Sequence, residues 1–211
     1  PKDLSAILAS RAVCDSELAA ECERYEALSR VRFLGRHAPQ RPDVDLALAK
    51  AKDASEEIRP LWAAIALDGL LRTPGLKMPS YREQLSLVRN VSKHWGDLDG
   101  LTSFSLIESI SVSVPAALER IRATLKQVAP LRATERHIAH RIDVIREIES
   151  AATHAMKLPW SRVRSVVLSE IAGLYLDLSR ELQAIGAPKD LSPDELAAYE
   201  DTVRKLTLPF E

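Results

Sequence analysis

A chain of 211 residues with 29 basic and 30 acidic side chains, net charge −1 and the signs interleaved, lacks the basic balance of a nucleic-acid binder and the basic amphipathic segment of a membrane-surface helix. No apolar run approaches the roughly 20 residues that span a bilayer. Its 46% apolar content suits a sizeable core, its seven glycines are few, and the abundant Leu, Ala, Arg and Glu favour helix, so the fold class expected is all-α.

Apolar spacing and start and stop signals divide the chain into about nine helices. Residues 4–13 (LSAILASRAV) form a short helix. Residues 16–35 follow, with Leu18, Cys22, Tyr25 and Leu28 on one stripe. After the proline-rich break APQRPD (38–43), Asp43 caps a helix running to about Ile58. Pro60 starts the next, through Trp62, Ile65 and Leu70 to Arg72. TPGLKMP (73–79) is a loop and a possible sub-boundary within one 1–211 domain. Ser80 opens a helix carrying Tyr81, Leu85, Val88 and Trp95, which GDLDG (96–100) stops.

Residues 102–110 read as a helical turn or two. SISVSVP (109–115) alternates like a strand with nothing to pair with, and Ser113 followed by Pro115 reads as the start of a new helix with Leu118, Ile121, Leu125 and Val128 on its stripe. Pro130 separates that helix from one over about 132–156, striped by Ile138, Ile142, Ile145, Ala152 and Met156. Pro159 stands at the first turn of the helix 160–185. There Trp160, Val163, Val167, Ile171, Leu174, Leu178, Leu182 and Ile185 step by three and four, and Val166, Leu168, Tyr175 and Leu176 widen the stripe. Such a helix should bury two sides. Gly186 ends it as a C-cap. Ser192 and Glu195 form a capping box with Pro193 at the first helical position of the last helix, about 193–206, which carries Leu196, Tyr199, Val203 and Leu206.

Short proline-punctuated connections between helices suit an α-solenoid of irregular, degenerate tetratricopeptide-like hairpins, with a compact helical bundle as the alternative. No fixed period recurs. The pentapeptide PKDLS occurs twice, at 1–5 and 188–192, but only the second copy has a capping box. Starting at Pro1 and ending on LTLPFE, the chain is expected to be a fragment of a longer one.

Side chains able to do chemistry are sparse. His137 and His140 are i, i+3 on a helix, but a metal needs further ligands. Glu135 lies on the far side of that helix from His140, and Arg136 and Arg141 beside Asp143 repel a cation, so a solvated face is the plainer reading. His94, His37 and His154 stand apart. Cys14 next to Asp15 and Glu17 is a poor nucleophile. Cys14 and Cys22, about 12 Å apart on a continuous helix, read as two small buried apolar residues, although a helix break at Asp15-Ser16 would let them bridge. Glu56-Glu57 and Glu147/Glu149 are pairs common on solvated helices. Nucleophile elbows and glycine-rich phosphate cradles are absent from the sequence. No enzyme activity, cofactor or metal is therefore expected.

The stretch Met156–Glu211 resembles a segment of large tetratricopeptide-containing envelope proteins of deltaproteobacteria. There a long helix ends in a small-residue turn, followed by a P-K-(G/D)-L-S-x-(D/E)-E cap, an A-Y position and a P-F/L-E element. Pro188, Lys189, Asp190, Leu191, Ser192, Glu195, Tyr199, Pro209, Phe210 and Glu211 match. The resemblance is greatest to the periplasmic Glt components of the myxobacterial gliding-motility machinery. It implies a non-enzymatic scaffold in the periplasm or cell envelope, bound to other proteins of an envelope complex, with no catalytic residues to carry over; a cytoplasmic location stays open. The alternative function is a helical domain that binds a small ligand or surface polysaccharide through Trp62, Trp95, Tyr81 and Trp160. Which face would bind a partner is not readable from the pattern.

Overall fold

The computed structural model describes residues 19–31, 39–93, 104–132, 134–185, 187 and 191–207. Among them the fold is all-α, with eight helices and no strand: α1 (Ala19–Val31), α2 (Arg41–Asp53), α3 (Arg59–Arg72), α4 (Tyr81–Lys93), α5 (Phe104–Val128), α6 (Glu135–Ala155), α7 (Ser161–Ile185) and α8 (Pro193–Thr207). The helix expected at 4–13, Trp95, the 96–100 stop, the Gly186 cap and the motif residues Pro188–Asp190 and Pro209–Glu211 lie outside the described residues. The chain divides into two compact units, residues 1–117 and 118–211. The loop at 73–79 lies inside the first.

The first unit is arranged around α3. Every residue from Pro60 to Leu70 is buried, including Trp62 at 0% exposure. The local sequence explains this: PLWAAIALDGLL is apolar on all sides of a helix, and only a helix surrounded by others can bury it. α1, α2 and α4 all pack on α3. α2 contributes a narrow face of Val44, Ala47 and Ala51. It comes close because Gly69 has no side chain: a Cβ there would fall 2.7 Å from a Val44 methyl. Charged side chains stitch the outside. Arg30 lies over the Trp62 ring at 5.9 Å and donates to Asp43 at 2.9 Å, joining α1, α2 and α3. Lys50 reaches Glu23, and Lys52 reaches Glu83 at 2.6 Å. The one carboxylate within the buried run, Asp68, accepts from Arg72 and from the Ser109 hydroxyl of α5.

Several boundaries differ from the sequence expectation. α2 begins at Arg41 and ends at Asp53. Asp43 is its third residue and not its cap; its carboxylate accepts the Gln40 N–H at 3.2 Å. Residues 54–58 form a turn clamped by Arg59, which donates twice to the Ala54 carbonyl. On α1 the buried residues are Ala27 and Val31, and Tyr25 is exposed; the small side chains are the ones that admit α3.

The largest correction concerns α5. The strand-like SISVSVP is helix, and Ser113 is a buried mid-helix residue rather than a cap. Leu106, Ser109, Ile110, Ser113, Val114, Ala117, Leu118, Ile121 and Leu125 are buried at helical spacing, and the serines at 109 and 113 sit within that stripe. Pro115 lies inside the helix, where it removes one backbone donor.

In the second unit α6 and α8 each pack on α7. α6 buries Val144, Ile145, Ile148, Ala151, Ala152 and Ala155. Ile138, Ile142 and Met156, expected on that face, are only half-buried; the face is rotated toward Arg141, which is buried. α7 starts at Ser161, so Pro159 precedes the helix instead of opening its first turn.

Candidate functional site

α7 is the helix on which polar chemistry concentrates. Its inner face carries Val163, Val167, Leu174, Leu178 and Leu182, all buried as the three-and-four stepping requires. Its carboxylates are all turned to neighbouring helices. Arg122 of α5 donates through Nε to Asp177 at 2.9 Å and through Nη1 to Glu170 at 3.3 Å. The guanidinium crosses α7 at Gly173, between those two acids. A Cβ on Gly173 would fall 2.1 Å from Nη1, so the missing side chain is what lets the arginine lie flat on the helix.

One turn further on, Glu181 receives two cations. Lys126 of α5 approaches it at 3.5 Å, and Arg141 of α6 donates to it through Nη2. The Arg141 side chain is 2% exposed, and its Nε and Nη1 groups have no protein partner. Tyr175 completes the seam, donating its hydroxyl to Glu149 of α6 at 2.7 Å. Burial, reinforced by the Glu149 carboxylate, pushes the phenol up to about 12. Glu149 is therefore a structural acceptor in the unit, and Arg141, expected beside a surface histidine pair, is a core residue.

The opposite face of α7 is not covered. Leu168 is 54% exposed and Leu176 40%, with exposed Ala172 between them. The expectation that α7 buries two sides within the chain is thus corrected: one side is packed, the other is open. Arg162, Arg164 and Arg180 are exposed on that outer side, and among the described residues none of them has an ion pair. α7 therefore separates its charges, with acids inward and bases outward.

The capping residues behave as helix-start chemistry requires. Ser192 Oγ and N–H both donate to Glu195, at 2.7 and 2.9 Å, and the Glu195 N–H returns to Ser192 Oγ at 3.4 Å. These bonds, the hydroxyl first, hold the Glu195 carboxyl below its usual range. A second box, Ser80 with Glu83, has the same geometry at the start of α4. Its S-x-x-E spacing was present in the sequence to be read. The Lys52 ammonium, then the Ser80 N–H and hydroxyl, bring Glu83 down to about 2.

His137 Nδ1 lies 2.6 Å from the Thr134 hydroxyl, on the helix start that Thr134 caps, and His140 is exposed. Among the described residues no group of three or more His, Cys, Asp or Glu side chains could hold a metal ion. Cys22 is disulfide-bonded, which corrects its reading as a plain buried apolar residue; the chain has one other cysteine, Cys14, outside the described residues. Of the aromatics considered for a ligand, Trp62 is buried under Arg30. Tyr81 is half-buried beneath Arg82 in the first unit, and Trp160 is half-buried in the second. Among the described residues, no helix is long and apolar enough to cross a membrane. No family model, curated protein or solved structure matches the chain.

Proposed function

We propose that this chain is a non-enzymatic, irregular helical-repeat scaffold that binds other proteins of a bacterial envelope complex, of the kind found in gliding-motility machinery. The observation that carries the reading is the open face of α7, where two leucines at i, i+8 stay in water although the opposite side of the helix is packed. Monomeric domains scatter single apolar residues over their surfaces; aligned ones rimmed by uncompensated charge mark protein contacts. The disulfide at Cys22 favours an oxidising compartment and so the periplasm over the cytoplasm. The polysaccharide reading loses one of its three indoles, because Trp62 is enclosed in the core of the first unit and cannot stack on a sugar.

The test is cross-linking with the purified chain as bait in envelope fractions of a gliding myxobacterium, followed by identification of stoichiometric partners. Recovery of defined envelope proteins at fixed ratio is expected. A bait that returns no stoichiometric partner, or is found reduced at Cys22 in its native compartment, counts against the envelope scaffold.

A further inference from the structure

The outer face of α7 has a definite chemical character. At 3.6 residues per turn Leu168, Ala172 and Leu176 fall within about 80° of one another. Arg164 lies about 40° beyond one edge, and Arg162 and Arg180 about 40° beyond the other. From Arg162 to Arg180 the face runs about 27 Å along the axis, which is five helical turns. Ser165 stands one turn before Leu168, and Ser169 and Ala172 stand between the leucines, all three exposed and short. The result is a shallow apolar channel with arginine rims. Every carboxylate of α7 is engaged elsewhere: Glu170 and Asp177 by Arg122, Glu181 by Lys126 and Arg141. The rims therefore have no compensation from their own helix.

Building on the scaffold reading above, we propose that this face docks an amphipathic α-helix of a partner protein whose leucine-type stripe is flanked by acidic residues. Three observations select that occupant. The short side chains at 165, 169 and 172 let a second helix approach to the usual interaxial distance of about 8–10 Å, with Leu168 and Leu176 as the knobs at either end. Arginines on both rims, of which Arg164 donates only to the Pro159 carbonyl and none has an ion pair among the described residues, complement carboxylates on both flanks of an incoming helix, and rim charges of this kind set partner choice. A second copy of this chain fits poorly, because two-fold pairing about Ala172 sets Arg164 of one copy against Arg180 of the other. A bilayer surface is also a poor match. Helices that lie in that interface bury a broad face of large apolar side chains, whereas this one offers two leucines with only Ser169 and Ala172 exposed between them.

The test uses the full chain and two synthetic helical peptides of about 18 residues, the length of the face. Both carry leucines at four-residue spacing; one is edged with glutamate and the other with lysine. Fluorescence anisotropy is expected to show the glutamate-edged peptide binding at least about tenfold more tightly, with the preference shrinking as salt rises. Leu168→Ser with Leu176→Ser should abolish binding while the circular dichroism spectrum is unchanged, because both side chains are already exposed. The triple reversal Arg162→Glu, Arg164→Glu and Arg180→Glu should invert the preference toward the lysine-edged peptide. Equal binding of the two peptides, or no inversion by the triple reversal, overturns the proposal. So does wild-type binding to vesicles of phosphatidylserine and phosphatidylcholine that the serine variant loses, or a concentration-dependent dimer that the same variant abolishes. The two readings fail separately. If the serine variant captures the same envelope proteins as wild type, the scaffold stands and this face is not its docking surface. If wild type captures none, the scaffold itself falls.

Discussion

α3 and α7 are the two central helices of their respective units, and both are rich in apolar residues, yet the chain treats them in opposite ways. α3 is enclosed from Pro60 to Leu70, with one carboxylate satisfied by Arg72 and Ser109. α7 is packed along one side only, and much of that packing is ionic: Arg122, Lys126 and Arg141 hold its three acids. The first unit is held mainly by area removed from water, the second by area plus a charged seam. Removing apolar volume should therefore hurt the first unit most directly, and stranding a charge should hurt the second.

The sharpest break comes from the buried pair. Glu181→Ala strands the Arg141 guanidinium, whose side chain is 2% exposed, and should cost about 3–5 kcal/mol in urea unfolding, whereas Arg141→Ala leaves Glu181 its contact with Lys126 and should cost less. The double replacement Arg141→Met, Glu181→Leu should be neutral or even stabilising by about 1–4 kcal/mol, because the desolvation cost goes with the pair. Trp62→Ala should cost a similar 3–5 kcal/mol or so, but here no second change can restore it, since the loss is volume rather than charge. Hydrogen exchange, read separately for residues 41–93 and 135–185, should place each loss in its own unit.

The two glycines offer a finer comparison. Gly69→Ala presses a methyl onto Val44 and should destabilise by about 1–3 kcal/mol, relieved by Val44→Ala. Gly173→Ala displaces only the flexible end of Arg122, and the helix preference for alanine offsets part of that loss. In an Arg122→Ala background Gly173→Ala should turn stabilising by about 1 kcal/mol, a sign change measurable in a double-mutant cycle.

The smallest effect is one of pH. Glu83 has its carboxyl lowered from 4.5 to about 2 by Lys52 and Ser80. A depressed folded-state value contributes stability that is complete above 4.5 and fades as the pH falls toward 2. The pair is on the surface, so the slope is slight and salt-sensitive. Glu83→Gln should flatten stability between those two pH values, and 1 M salt should mask most of the difference.

Helix content and most helix starts were legible because their signals are local. Ser192 and Glu195 declare a helix start within four residues, and Ser80 with Glu83 could have been read the same way. α3 announced itself by Pro60 at its start and by Trp62, Ile65 and Leu70 along its length. What misled was local as well: of the three serines that make SISVSVP look like a strand, α5 buries two, Ser109 against Asp68 and Ser113 beside Val114. A period-two reading cannot distinguish a polar outside from a polar residue with a partner 41 positions away. Arg141 was hidden for the same reason. Its place on the α6 stripe called for an apolar residue, and only the contact with Glu181 on another helix explains the charge. For α7 the periodicity correctly marked two apolar sides but could not say whether the chain itself would cover both.

Gly173 carries a further consequence, for inheritance rather than for folding. It and Arg122 are separated by half a unit in sequence, yet neither can vary alone without penalty, since any side chain at 173 occupies the space the guanidinium fills. Substitutions should therefore travel together. A lineage that gains a side chain at 173 is expected to have given up arginine at 122, and with it the pressure to keep acids at 170 and 177. Four positions on two helices would then drift as one evolutionary character.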